Sequence, residues 1–468
     1  MAVSHWKLAN AVARRGHLGV VSGTALDLVM TRRLQLGDPD GAMHRAFAAF
    51  PNAEIALRIW DRYYVEGGKP PNKPFKSKPI FTTTPSQALI EMTVLANFAE
   101  VFLAKEGHDG PVGINLLEKV QLPTVPSLFG AMLAGVDYVL MGAGIPRQIP
   151  AILDHLAALE PVELKLDVVG AEASEEFVTK FNPASIPDLG VSSLKRPQFL
   201  AIISSNALAT TLVRKCSPPV DGFVIEGSRA GGHNAPPRGG IHLDEVGEPI
   251  YGPRDEPDLA AIKELGKPFW LAGSWGVPGR LHEALEVGAE GIQVGTAFAF
   301  CNESGMEPEL RQRVIQQSLA GTTTVKTDVL ASPTGFPFKV VSVEDTLSES
   351  RVANERERIC DLGYLRQLYR KANGAVGYRC PGEPVEDFVE KGGHEEETVG
   401  RKCICNALTT TIGIGQTRKG YHEPAIVTAG NDVVNIAQFL PAGAENYSVD
   451  DVLARLLEPA KQVAGLAL

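Results

Sequence analysis

Six cysteines, four tryptophans and an aromatic share of 7% leave this 468-residue chain poor in several residue types. So few cysteines over such a length exclude the dense disulfide framework of a small secreted protein. An excess of basic residues is also missing. Lys and Arg number 45 against 55 Asp and Glu, a net charge of −10, which argues against nucleic acid or an anionic membrane as the main partner. No run approaches the roughly 18 uninterrupted apolar residues of a membrane span. The first thirty residues hold Arg14, Arg15 and Asp27 and lack the apolar stretch of a signal peptide. A cytoplasmic enzyme acting on a small molecule is the expectation, and self-association is compatible with it.

Glycine (47) and proline (33) are plentiful, and they punctuate periodic segments rather than forming tracts. Short β-branched runs alternate with helical patterns, the signature of repeated βα units around a parallel sheet. The runs are Leu18–Val21, Val112–Leu116, Tyr138–Met141, Phe199–Ile203, Gly222–Ile225, Phe269–Ala272 and Gly291–Val294. Most end in small residues, as expected where a strand opens into a ligand-facing loop. The fold class is therefore α/β, a TIM (β/α)8 barrel over residues 1–305, with insertions at 37–110 and 161–197. The first insertion carries a basic, proline-rich patch, Lys69–Lys78, followed by a helix near Ser86–Leu103. The second holds the strand-like run Val162–Val169.

Seven runs leave the barrel one strand short. The eighth belongs before a first helix at Ser4–Arg14, where only Met1, Ala2 and Val3 stand. A start placed too late is favoured over a truncated strand, since an open barrel would bare strand edges. After residue 305 the βα rhythm stops. Glu309–Leu319, Ser348–Lys371 and Val449–Val463 look helical, so residues 306–468 are expected to form a mainly helical C-terminal domain.

Three groups of residues carry chemistry. The last two strands lead into Ala272-Gly273-Ser274 and Gly295-Thr296. At this place in a barrel, small residues let backbone N–H groups approach a phosphate, and Ser274 and Thr296 add hydroxyls. Tight turns alone would explain either segment, but two in this order favour phosphate binding. The run Glu226-Gly227-Ser228-Arg229-Ala230-Gly231-Gly232-His233 presents a histidine after a glycine pair at a strand end. An imidazole titrates close to neutrality, so His233 is the catalytic candidate, with Gly231 and Gly232 permitting approach to a planar ring. His17 and His242 lack such a setting and are read as structural. Asn115 ends the strand Gly113-Ile114-Asn115-Leu116, where its amide either meets a ring edge or caps its own turn. Ser22 similarly lines the catalytic face.

These motifs resemble those of the nitronate monooxygenases, formerly 2-nitropropane dioxygenases. Gly19-Val20-Val21-Ser22, Gly113-Ile114-Asn115-Leu116, the turn from Gly142 to Pro146, Ala230-Gly231-Gly232-His233, Ala272-Gly273-Ser274 and Gln293-Val294-Gly295-Thr296 occur in that family's order. The resemblance implies a non-covalent FMN on the barrel's catalytic face. The segments Gly273-Ser274 and Gly295-Thr296 would hold its phosphate, Asn115 would sit near the ring, and His233 would be the catalytic histidine. It also implies oxidation of a nitronate with dioxygen as reoxidant, the flavin carrying the redox chemistry. Departures are visible. The first strand, with its methionine contact, is reduced at most to Met1, and Ser274 replaces a glycine of the phosphate loop. The loop Ala235–Gly240 is long and proline-rich. Both insertions and the C-terminal segment are atypical as well.

Cys360, Cys380, Cys403 and Cys405, with His394 nearby, are candidates for zinc or an iron–sulfur cluster. Their spacing matches no recognised zinc pattern, and buried free thiols are the preferred reading, with no metal assigned. Cys216 and Cys301 are read as core residues. The main alternative function is a flavin-dependent enoyl-thioester reductase, as in fatty acid or polyketide pathways. A phosphosugar isomerase would use similar loops but needs a lysine or carboxylate pair at strand ends, and Lys165 with Asp167 falls in an insertion. A non-catalytic partner subunit of such pathways is a further option.

Overall fold

The computed structural model describes residues 1–458. Seven strands form one sheet: β1 (Gly19–Ser22), β2 (Val112–Leu117), β3 (Tyr138–Gly142), β4 (Gln198–Ile203), β5 (Gly222–Glu226), β6 (Phe269–Ala272) and β7 (Gly291–Ile292). They hydrogen-bond in chain order, every pair parallel. All seven expected runs are therefore strands, within a few residues at each end, and the architecture is the expected TIM barrel. Alternation along each strand divides the apolar residues in two. One set, including Val21, Ile114, Val139, Phe199 and Phe223, packs outward against the helices. The other, Leu140, Leu200, Val224 and Ala272, packs inside the barrel with Val20, Ile202 and Trp270.

The N-terminal segment lies beside β1. The Ser22 N–H donates to the Ser4 carbonyl at 2.8 Å, and the Gly305 N–H donates to the Val3 carbonyl at 2.7 Å. Residues 3 and 4 thus stand beside β1 where an eighth strand belongs.

The first insertion folds as helices Ala42–Ala49 and Ala53–Tyr63, then the long helix Gln87–Lys105 capped by Ser86. That last helix is long and apolar enough to cross a membrane, yet 78% of its apolar window is buried. It packs on Thr124–Leu133 so closely that a Cβ added at Gly130 would lie 2.1 Å from the Val94 carbonyl oxygen. In the second insertion, Val162–Lys165 pairs antiparallel with Val178–Phe181, and Val168–Val169 joins Gln367–Arg370.

Beyond residue 305 two of the expected helices form, as Pro308–Ala320 and Val449–Leu456. Residues 459–463 of the second lie outside the described residues. The third does not run from Ser348 to Lys371. It is confined to Ser350–Glu355, and Gln367–Arg370 is a strand paired with Val376–Arg379. Two features end it. Arg356 turns extended to bury its guanidinium against Glu423, at 2.7 and 2.9 Å, and Gly363 takes a φ of +69°. A second hairpin joins Val325–Asp328 to Phe338–Val341. The C-terminal segment lies against the barrel: Arg32 donates to the Ile414 carbonyl at 2.6 Å, and the Tyr364 hydroxyl donates to Asp27 at 2.6 Å.

Candidate active site

The barrel interior ends in a polar layer at the C-terminal mouth. Stepping two residues from Val224 along β5 brings Glu226 to the inward face, in register with Ala272 of β6. Ser22 and Asn115 are register partners on β1 and β2. Glu226, with Ser204, Gly227, Ser228, Tyr251 and others, lines a cavity at this mouth. Its carboxyl gains no compensating partner for the water it loses, and burial pushes its pKa up to about 7. Nothing in the spacing of charged residues singled out Glu226; the signal was its place two residues past an inward-facing valine.

His233 follows β5 on the Gly231-Gly232 turn. Its Nε2 lies 2.7 Å from Ser332 Oγ, and its ring packs edge-on against Phe338 with centroids 4.8 Å apart. The backbone of His233 forms an isolated bridge with Phe338. Burial lowers the imidazole pKa to about 4, so His233 is neutral at pH 7. From residue type alone the value would be the ordinary one near neutrality; burial, to which residues 332–338 contribute, lowers it, and the positive N-terminus of Met1 adds to the effect.

The glycine pair makes its closest approach to the chain itself. A Cβ at Gly231 would lie 2.8 Å from the Ala429 carbonyl carbon and the Gly430 nitrogen. The Gly232 N–H donates to Thr428 Oγ1 at 2.9 Å. The same C-terminal stretch reaches the two phosphate-loop candidates. The Gly430 N–H donates to Thr296 Oγ1 at 3.0 Å, and Ser274 Oγ donates to the Arg229 carbonyl at 3.1 Å and to Asp432 Oδ1 at 3.4 Å. Residues 428–432 thereby connect the histidine loop to Ser274 and Thr296.

The backbone N–H groups of Ser274, Gly295 and Thr296 have no acceptor among the described residues. Ser274 sits at φ +64° and Gly273 at +86°, and a Cβ added at Gly295 would meet nothing within 4 Å. Unpaired donors beside open space suit an anionic phosphate. One carboxylate already borders this cradle. Asp432 hydrogen-bonds with Thr296 and Ser274, and burial raises its pKa.

The four C-terminal cysteines converge: Cys360, Cys380, Cys403 and Cys405 line one cavity, and all are free thiols. Among the described residues, no three His, Cys, Asp or Glu side chains are drawn together tightly enough to hold a single ion. Cys301 is buried, and the half-buried Cys216 packs against the core.

Comparison with known proteins matches residues 147–334 to the nitronate monooxygenase family. That span runs from just after β3 to just past Ser332 and includes Glu226, His233 and both glycine loops. A probable nitronate monooxygenase of Bacillus subtilis is 30% identical over 136 residues, 29% of this chain and 37% of that protein's length. A (3aS,4S,5R,7aS)-5-hydroxy-7a-methyl-1-oxo-octahydro-1H-indene-4-carboxyl-CoA dehydrogenase of Mycobacterium tuberculosis is 28% identical over 259 residues, 51% of this chain and 68% of that protein. Among solved structures, FabK from Thermotoga maritima superposes with a TM-score of 0.45 at 15% identity, covering 97% of this chain and 88% of that one. The stretch similar to nitronate monooxygenases, residues 147–334, thus carries the His233 loop and both glycine loops, and the chain spans only 37% of the length of the Bacillus relative.

Proposed function

We propose that the protein is an FMN-dependent oxidoreductase that oxidises a nitronate-like substrate with dioxygen, with His233 as its catalytic residue. The observation that carries this reading is the pairing of His233 with Ser332 on a loop joined, through residues 428–432, to a phosphate cradle. The unpaired N–H groups of Ser274, Gly295 and Thr296 would hold the FMN phosphate, with the two hydroxyls beside them. Ser22, Asn115 and Ala272 would border the ring, with Gly231, Gly232 and Gly273 keeping the surrounding turns small. When bound, FMN supplies the electron transfer between substrate and dioxygen.

The chain's own groups divide the remaining work. Neutral His233 is held at Nε2 by Ser332, leaving its other ring nitrogen for a hydrogen bond or a proton. Glu226 gains or loses a proton near neutrality inside the mouth. Two groups whose surroundings push their pKa values in opposite directions are the usual mark of divided acid–base roles. The C-terminal stretch 428–432 packs on both loops and fixes their spacing.

A second reading is an enoyl-thioester reductase fed by a nicotinamide. The Mycobacterium relative, named as a coenzyme A thioester dehydrogenase, favours it by matching 51% of this chain. One set of measurements separates the two. The purified protein should show the absorption of oxidised FMN. Under anaerobic conditions propyl nitronate should bleach it, and NADH and NADPH should not. Bleaching by a nicotinamide alone would select the reductase, and a colourless protein that does not bind added FMN would reject both.

A further inference from the structure

We propose that Cys360, Cys380, Cys403 and Cys405 ligate an iron–sulfur cluster in the C-terminal segment. Four of the chain's six cysteines line a single cavity, although they come from three separate stretches of sequence. Cys360 follows the short helix Ser350–Glu355, Cys380 follows the strand Val376–Arg379, and Cys403 and Cys405 open the helix Ile404–Thr411. Buried thiols scattered through a core for packing have no reason to gather around one space.

As they stand, Cys360 and Cys380 interact directly, and no three of the four thiols are close enough for one ion. That spacing suits a cluster better than zinc. A single zinc draws its sulfurs to about 2.3 Å from one centre, whereas a cluster spreads four thiolates around a cage. The frame is built independently of the sulfurs. Arg358 ties two of the ligand-bearing stretches together, donating to the Pro381 carbonyl at 3.2 Å and the Thr398 carbonyl at 2.9 Å. Asn406 donates to Asp361 at 2.8 Å and to Cys403 Sγ at 3.6 Å, the kind of N–H···S contact that tunes bound clusters.

Cations stand close to the sulfurs, although Glu383 and Asp361 also act on Cys360. Arg356 acts electrostatically on Cys403, Arg366 on Cys360, and Arg358 and Arg401 on Cys380. Four thiolates around a cluster carry net negative charge, and low-dielectric surroundings make such charge costly unless cations stand nearby. The cavity reaches the candidate active site as well. Pro333 lines it, and the neighbouring Ser332 holds His233.

The test uses the full chain, produced with iron and sulfide supplied and purified without oxygen. A bound [4Fe–4S] centre should give about four iron and about four acid-labile sulfide ions per chain, with a paramagnetic signal on reduction by dithionite. Cys380→Ser and Cys405→Ser should each lose most of that iron, and Cys216→Ser should retain it. Where a variant does not fold, the iron and sulfide content of the unaltered protein decides. Stoichiometric zinc without sulfide, a Cys360–Cys380 disulfide, or four free thiols with no metal after this treatment would each overturn the proposal.

Discussion

His233 Nε2 and Ser332 Oγ stand 2.7 Å apart across 99 residues of sequence. Ser332 in turn bonds Thr334 Oγ1 at 2.8 Å, so the imidazole is held from behind by a small hydroxyl network. Removing the hydroxyl with Ser332→Ala should leave FMN binding unchanged and slow turnover. A neutral hydrogen bond contributes about 1 kcal/mol, or roughly fivefold in rate. His233→Asn should cost more, about 10²–10⁴-fold, again with FMN retained. Loss of the flavin from a folded His233→Asn protein would make the residue a cofactor ligand.

The pH dependence should trace to Glu226. Burial holds the His233 imidazole down near 4 and Glu226 up near 7. Below about pH 7 the Glu226 carboxyl is protonated and neutral; above it the mouth holds a poorly solvated anion. An anionic nitronate should therefore bind less well as pH rises through 7, with KM increasing. Glu226→Gln should keep KM level across the same range. A KM that still rises in Glu226→Gln would place the ionisation elsewhere.

FMN affinity should respond to charge at the phosphate cradle in both directions. A side chain at Gly295 has room, since an added Cβ meets nothing within 4 Å, so Gly295→Asp should fold. Two unit charges ~4 Å apart at an effective dielectric of about 20 repel by about 4 kcal/mol, enough to abolish binding. Asp432 already borders the cradle, and burial raises its pKa. It is neutral below that raised value and anionic above, so acidification should favour the phosphate. Asp432→Asn should tighten FMN binding at pH values above that raised pKa, where the carboxylate is ionised. Fluorescence titration reads both variants; unchanged affinity in Gly295→Asp would move the phosphate elsewhere.

Asp27 and Lys78 form a buried ion pair at 2.7 Å, with side chains 2% and 4% exposed. Tyr364 donates to the same carboxylate. A barrel helix, the first insertion and the C-terminal segment thus meet at one charge. Lys78→Met should lower stability by about 3–5 kcal/mol, the usual cost of leaving a buried charge without its partner. Chemical denaturation should also show one transition, because the segments share this centre. A separate early transition of the C-terminal segment would show that it unfolds independently of the barrel.

The sequence by itself determined the barrel and the identity of its loops. Strand runs, glycine pairs and the His233 motif are local patterns, set by alternation, turn geometry and spacing within a few residues. All seven strands were legible for that reason. The helix expected over Ser348–Lys371 was not, because Arg356 leaves the helical path to reach Glu423, a partner 67 residues away. Tertiary structure alone decided that His233 is neutral, that Glu226 titrates near 7 and that Asp432 shares a cradle with Ser274 and Thr296. Each depends on desolvation or on a partner supplied by a distant segment, and a pKa follows surroundings rather than residue type. The four cysteines illustrate the same division: in sequence they are metal candidates whose spacing matches no recognised zinc pattern, and only folding brings three stretches around one cavity.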